Sequence, residues 1–471
     1  MPRQKTSTKK PVKKSITKKP VVKKTSTKKP VKKSITKHVK QSSVPGSYST
    51  VRGMKDITPK DSIDWMTIYH TAESIAHAYN FSYVETPVVE HAQLFVRSIG
   101  KGTDVVDKEM YLFEDRDGAK LCLRPEMTAS IARAYINHGM QSLPQPVKMW
   151  YWGSMFRHDR PQAGRYRQFH QFGCETVGEH SPIVDAELIS VAYNTIRDLG
   201  IDAMVHINSI GTTEEREQYI IELVGYLRSK RSYLSDISKQ RINKNPLRVL
   251  DSKDEQDVAV IQEGPQIIDW LGDASKRFFM SVLEYLDELS IPYVLDSTLV
   301  RGLDYYSDTV FEIFPEDKED KSQGALGGGG RYNPLIQQLG GQDVPGSGFS
   351  LGIERIMIAL KEKRDKEQYV APQLGGLYLA QLGEQARKRT LYILELLRRE
   401  GIIVHHNLAK PSLKVQLEKA NKINVSHTLI IGQKEVQDGT VLIRNMESGI
   451  QEIVDQKKIV NVAKKLLGIQ K

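Results

Sequence analysis

Between about Lys60 and Asn80 the apolar positions Ile63, Ile68, Ile75 and Ala76 recur at helical spacing and predict an amphipathic helix. Tyr83 to Glu90 (YVETPVVE) reads as a strand whose proline confines it to an edge, a bulge or an interface. Met110 to Leu123 alternates about Asp115-Arg-Asp-Gly118, the pattern of a hairpin. Two more strands, about 147–156 and 166–176, flank a loop rich in Arg, Pro and Gly. The first half is therefore expected to be strands paired by hairpins with helices between them. From about 213 to 290 the pattern turns to charged helical periods, as in Glu214 to Lys230 and Asp273 to Ser290, and predicts a helical insertion. Strand character returns at Ile291 to Phe314. Four glycines follow at 327–330, and Gly346 to Leu360 reads as a strand running into a helix. Beyond Pro372, strands at 374–380, 402–406, 427–431 and 440–445 alternate with helices at 384–400, 412–422 and 456–467. That rhythm predicts a separate small α/β domain.

At 471 residues and 39% hydrophobic content the chain is long and apolar enough for several domains with real cores. No apolar run approaches the roughly 20 residues of a membrane span, and the amino terminus lacks the apolar core of a secretory signal. A cytoplasmic protein with no membrane attachment is expected. Cys122 and Cys174, the only cysteines, lack metal-type spacing and are read as small buried hydrophobes in a reducing compartment. The net charge of +11 is concentrated. Residues 1–40 hold fifteen lysines and Arg3 with no acid, which leaves 52 basic residues against all 57 acidic ones in the remainder. Within that arm TSTKKPVKKSITK occurs twice, at 6–18 and 25–37, too short and polar to build a core. It predicts a disordered basic arm over residues 1–48. Pro11, Pro20 and Pro30 break any amphipathic helix, which argues against a mitochondrial presequence and for a tethered patch that attracts RNA. Simple solvation is the plainer alternative.

The residues that carry chemistry fall in four places. Leu299-Val-Arg301-Gly-Leu-Asp304-Tyr305-Tyr306 sets an arginine in apolar and aromatic company, where it needs an anionic partner. Either a ligand supplies that anion, or Asp304 does within the core; the flanking acids and arginines favour the ligand and leave Asp304 to orient the turn. Met155 to Gln171 (MFRHDRPQAGRYRQFHQ) places four arginines in eleven residues, a density suited to polyphosphate. Arg157 precedes the loop and Arg165 closes it, while Arg167, Phe169 and Gln171 alternate onto one strand face where a purine could stack. Arg124-Pro-Glu126-Met127-Thr128 offers a carboxylate and a hydroxyl where a strand gives way to a helix. They could hold an amine, or simply cap the helix. Glu175 shares a strand face with Gln171. Finally, Gly346 to Arg355 puts a cation in the first turn of a helix, unfavourable unless an anion sits there, and Tyr332 follows the glycine run at the rim of the site.

In this order the segments resemble the class II aminoacyl-tRNA synthetases, and LVRGLDYY with GGGGRY resembles the histidine-specific family. The three class II motifs correspond to the Pro87 strand, to FRHDRPQAGRYRQFHQ and to GFSLGIERI, and the likeness runs from about residue 50 to the end. It implies an α+β fold with a mostly antiparallel six-stranded sheet in a catalytic domain at 49–372, a helical insertion at about 213–290, a carboxy-terminal α/β anticodon-binding domain at 373–471, and a homodimer. It also implies that Glu126, Met127, Thr128, Arg157, Gln171, Glu175, Arg301, Tyr305 and Tyr306 bind histidine. Arg157, Asp159, Arg165, Phe169 and Arg355 would hold ATP, with Mg²⁺ on the phosphates and no protein ligand assigned to it. Arg157 and Arg301 would stabilise charge on the α-phosphate. Many relatives have glycine where this chain has Met127 and glutamate where it has Asp159. The implied activity is histidine activation and transfer to tRNA(His). A catalytically silent regulatory relative, or a synthetase for another amino acid such as proline or threonine, are the rivals. Retention of Arg157, Arg301, Arg355 and the last domain speaks against the first, and the octet against the second.

Overall fold

The computed structural model describes residues 48–100, 103–316, 324–367, 376–410 and 412–469. Two units divide the chain, Met1–Thr50 and Val51–Lys471, and the expected basic arm lies outside the described residues except for Tyr48.

Helix α1 (Ser62–Ala78) buries Ile68, Ala72, Ile75 and Ala76. Ile63, counted on that stripe from the sequence, is 61% exposed. It precedes Ile68 by five residues, about 140° around the helix. The strand expected over 83–90 is split into β1 (Ser82–Tyr83) and β2 (Val89–His91), which lie in different sheets. Pro87 falls in the connection, where its missing N–H is no cost. After α2 (Ala92–Ile99), β3 (Tyr111–Glu114) and β4 (Lys120–Leu123) form the predicted hairpin and pair with β2 in a three-stranded sheet. Its turn is closed by Asp115, whose Oδ1 accepts from the amides of Asp117 and Ala119 at 3.0 and 2.9 Å.

Next come α3 (Thr128–Asn137), β5 (Val147–Phe156), β6 (Gln168–Val177), α4 (Pro182–Asp198) and β7 (Ala203–Ser209). The helical stretch comprises α5 (Thr213–Ser229), α6 (Asp236–Lys244), α7 (Leu247–Leu250), α8 (Glu255–Gln262) and α9 (Asp273–Glu288). Its last helix behaves differently from the others. Phe279, Val282, Leu283 and Leu286 of α9 join the core formed by α1 and α4. Then follow β8 (Tyr293–Leu295), β9 (Ser307–Pro315), β10 (Gly327–Arg331), α10 (Leu335–Gln338), β11 (Gly346–Gly352) and α11 (Ile353–Glu367). The strand character at 291–314 resolves into two strands, β8 and β9, and the arginine octet lies in the loop between them.

The main sheet has eight strands rather than six, in the order β1-β5-β6-β11-β10-β9-β7-β8. Pairing is antiparallel from β5 through β7, and the two short edge strands β1 and β8 are parallel to their neighbours. The sheet is therefore mixed. Strand character is present at both edges, within 83–90 and 291–314, but two- or three-residue strands leave no alternation to mark them off as separate. Trp150, Phe172, Cys174, Ile207, Phe311 and Phe349 face the layer of α1, α4 and α9, while Met149, Tyr151, Met155 and Val310 face the other way. Cys122 and Cys174 are both free and buried, as expected.

The last part of the chain forms a five-stranded sheet from β12 (Leu377–Gln381), β13 (Val404–His406), β14 (His427–Ile431), β15 (Thr440–Asn445) and β16 (Gln451–Asp455). Its helices are α12 (Glu384–Arg399), α13 (Leu413–Lys422), α14 (Gln433–Asp438) and α15 (Ile459–Leu466). Successive β12 residues serve opposite cores. Leu377 and Leu379 pack with α12 and α15, and Tyr378 and Ala380 with α13. Covered on both faces, β12 reads as a continuous apolar run.

Candidate active site

The site lies on the sheet face away from α1 and α4. Residues 169, 171 and 175 of β6 point there because side chains alternate along a strand. Glu175 is at 0% exposure. Its Oε1 accepts from the Thr128 hydroxyl at 2.7 Å and its Oε2 from the Tyr332 hydroxyl at 2.6 Å. Burial pushes this carboxyl up to about 8 against the opposing pull of those two hydroxyls. Glu126 is buried beside it, and burial also raises its carboxyl above the ordinary range. The helix-capping reading of Glu126 is realised: its oxygens accept from the amides of Thr128 at 2.7 Å and Ala129 at 3.0 Å, satisfying donors that the start of α3 leaves open. The Tyr305 hydroxyl reaches Glu126 Oε2 at 3.5 Å. The Tyr305 and Tyr306 rings lie 4.7 Å apart, and Tyr332 meets Tyr305 edge-on at 5.9 Å. Five residues singled out from sequence, Glu126, Thr128, Glu175, Tyr305 and Tyr306, thus form one buried cluster.

Arg301 adjoins this cluster, with its guanidinium 5.4 Å from the Tyr306 ring centre. Its carboxylate partner is Glu312 of β9, through Nη1, and not Asp304. Asp304 instead accepts from Asn245 Nδ2 at 3.3 Å, and its amide donates to the Ile99 carbonyl at 3.2 Å. It therefore shapes the turn, as expected. Arg216 of α5 donates to the Tyr306 carbonyl, so the insertion grips the octet from outside. Arg301 Nε and Gln171 Oε1 are among the buried polar atoms of the described residues that find no partner in the protein. Gln171 Nε2 donates to Ser350 Oγ at 3.0 Å, which fixes the direction of that amide.

The second group of residues surrounds the 158–167 loop. Arg157 Nε donates to the Pro125 carbonyl at 2.9 Å, and its guanidinium sits 5.5 Å from the Phe169 ring centre. Arg165 pairs with Asp159 at 3.3 Å, and Asp159 also accepts from the amide of Arg160 at 2.6 Å, so this acid braces the loop. Arg355 reaches back from the first turn of α11 to the Gly164 carbonyl at 3.3 Å and to the Ala325 carbonyl. Burial first, and then the neighbouring charge of Arg165, depress the proton affinity of Arg355. Crowded cations of this kind suit a multiply charged anion. Met127 is buried, and its sulfur accepts from the Thr86 hydroxyl at 3.4 Å.

The sequence alone places Tyr332 at the rim and gives Glu312 no role. The first is central to the cluster, and the second orients the octet arginine. Glu312 had left a signal, being a lone acid in the otherwise apolar run Val310-Phe-Glu-Ile-Phe314.

A sheet antiparallel in all but its two short edge strands, carrying an arginine-rich strand–loop–strand and a strand running into an arginine-bearing helix, beside an α/β module, defines a class II aminoacyl-tRNA synthetase. The histidyl-tRNA synthetase family model matches residues 53–356, and an anticodon binding domain model matches 376–466. The chain is 43% identical over 419 residues to the histidine–tRNA ligase of Halothermothrix orenii, covering 88% of this chain and 99% of that one. It is 39% identical over 425 residues to the same-named protein of Anoxybacillus flavithermus, covering 89% and 100%. The crystal structure of apo histidyl-tRNA synthetase from S. aureus superposes with a TM-score of 0.72 at 32% identity, over 89% of this chain and 100% of that one. The chain belongs to the histidyl-tRNA synthetase family.

Proposed function

We propose that the chain activates L-histidine with ATP, giving histidyl-adenylate and pyrophosphate, and then transfers the histidyl group to the 3′-terminal ribose of tRNA(His). Family membership supports the reaction, and the single structural observation that carries the site assignment is the buried Glu175–Thr128–Tyr332 network joined to Arg301 through the paired tyrosines.

In this reading Glu126 and Thr128 receive the α-ammonium group, with Gln171 Oε1 as a further acceptor. Glu175, Tyr305 and Tyr306 read the imidazole, and Met127 adds bulk to the wall. A site of buried polar groups rejects analogues that leave those groups unpaired. Phe169 stacks on adenine, Asp159 lies toward its amino group, and Arg165 and Arg355 hold the outer phosphates. The histidine carboxylate forms the new O–P bond at the α-phosphorus while the bond to the pyrophosphate oxygen breaks. The nucleophile is already ionised, so no general base is needed. Arg157 and Arg301 supply charge stabilisation and alignment. Among the described residues no group of three or more His, Cys, Asp or Glu side chains gathers to hold a metal. Mg²⁺ would enter with ATP on its phosphates, and no protein ligand is assigned to it.

The silent regulatory reading is not favoured, because Arg157, Arg301, Arg355 and the carboxy-terminal domain are all present. A homodimer, a cytoplasmic location and the three-part division at 1–48, 49–372 and 373–471 complete the proposal. Among the described residues no helix is long and apolar enough to cross a membrane.

Histidine-dependent ATP–pyrophosphate exchange tests the arginine role. Arg301→Ala should lower it by about 10² to 10³. Arg301→Lys keeps a charge opposite Glu312 and guards against misfolding of the alanine variant. It should still lose most activity, because an ammonium cannot reproduce the guanidinium fork. Near-normal exchange in both variants contradicts the assignment.

A further inference from the structure

On the opposite face of the sheet, four elements meet at His170. Its ring Nδ1 lies 2.8 Å from Glu354 Oε1, and its backbone N–H donates to Glu354 Oε2 at 3.0 Å. Ring Nε2 lies 2.8 Å from Ser154 Oγ on β5, and Trp65 of α1 meets the ring edge-on at 4.7 Å. The position of Glu354 explains the first pair. The ladder between β6 and β11 ends at Gln171 and Gly352, so His170 is the first residue without a β11 partner. The Glu354 carboxylate, in the first turn of α11, takes its amide and continues the contact that the strand has given up. A carboxylate also suits the amino-terminal end of a helix.

The order hydroxyl, imidazole, carboxylate is that of a nucleophile relay, but here it lies on the helix-covered face beneath Trp65. Its effect is on position. Phe169 and Gln171 flank His170 and point to the opposite face, and Arg355 directly follows Glu354. Any slip of α11 along β6 would change the spacing between Arg355 and Phe169 and break the reach of Arg355 to Gly164.

We propose that Glu354 and His170 are positioning residues for the nucleotide half of the site, locking the first turn of α11 to β6 so that Arg355 and Phe169 hold one fixed separation. This rests on the reading that Arg355 and Phe169 bind ATP.

The test is a separate determination of KM for ATP and for histidine in pyrophosphate exchange by the full chain. Glu354→Ala and His170→Ala should raise KM for ATP by about tenfold or more, the loss expected for a charge-assisted hydrogen bond. Their KM for histidine should stay within about twofold of wild type. Glu354→Gln keeps an acceptor for the His170 amide and should fall between wild type and alanine, a rescue that also keeps the test open if the alanine variants fail to fold. A lowered melting temperature with both KM values unchanged would make the pair a fold-stabilising tie and overturn the proposal, as would equal rises in both. Arg355→Ala separates the two claims. If it leaves KM for ATP unchanged, the reading of Arg355 fails and takes the proposal with it; if it raises KM while the Glu354 and His170 variants do not, the proposal alone fails.

Discussion

Glu175 is a carboxyl held by two hydroxyl donors in a place water does not reach, and the desolvation outweighs the hydrogen bonds. A carboxyl whose folded pKa is raised binds its proton more tightly in the native state, so its contribution to stability is complete below the unfolded pKa. That contribution is lost as pH rises through the folded value of about 8. Glu175→Gln removes the titration. The unfolding free energy of the variant relative to wild type should climb between about pH 5 and pH 8, by on the order of a few kcal/mol, and the difference in melting temperature should climb with it. The absolute offset is a poorer guide, because an amide also mismatches one of the two hydroxyl donors. A pH-independent offset would contradict the raised pKa. At this scale the sequence was informative where residue type limits the options: Arg301, Glu126 and Glu175 each need a partner, and alternation put Glu175 and Gln171 on one face. The identity of each partner was not legible. Tyr332 reaches Glu175 across β11, and nothing local encodes a register between distant strands, while Arg301 meets Glu312 only because the octet loop folds back along the strand it leads into.

Two strands are shaped by what they leave out. A Cβ on Gly348 would lie 1.7 Å from Glu175 Oε2, and one on Gly328 would lie 2.9 Å from Arg301 Nη1 and 2.4 Å from the Phe311 carbonyl. The glycines of β10 and β11 therefore clear the sheet surface for the carboxylate and the guanidinium. Gly348→Ala should displace Glu175 and raise KM for histidine about tenfold or more, the effect of roughly 1–3 kcal/mol of overpacking. KM for ATP should change far less. An unaltered KM for histidine would show that the Glu175 carboxyl does not contact that substrate. The same scale explains which elements the pattern revealed. Long helices and the hairpin were plain from their periods, whereas α14 is too short to show one. Edge strand β16 is largely exposed along its length and offers no alternation. The octet looked like strand because its apolar residues are dense; it folds as a loop gripped by Arg216, Asn245 and the end of α2.

Across the whole molecule, charge is divided unevenly, with sixteen basic residues and no acid in the first forty positions and a mild acidic excess after them. Removing residues 1–47 should weaken RNA binding at low salt, flatten its salt dependence and leave pyrophosphate exchange intact. Unchanged RNA affinity at every salt concentration would assign the arm another role. The overall class was legible because the motif segments occur in a fixed order along one chain. The number of strands in the main sheet was not, since β1 and β8 are too short to announce themselves. The claim at the centre of this account is that the buried carboxylate and tyrosine cluster selects histidine for activation. It is tested most directly by ATP–pyrophosphate exchange with each of the twenty amino acids in turn. Exchange should depend on histidine and remain near background with the other nineteen; no exchange with histidine, or equal exchange with another amino acid, would contradict it.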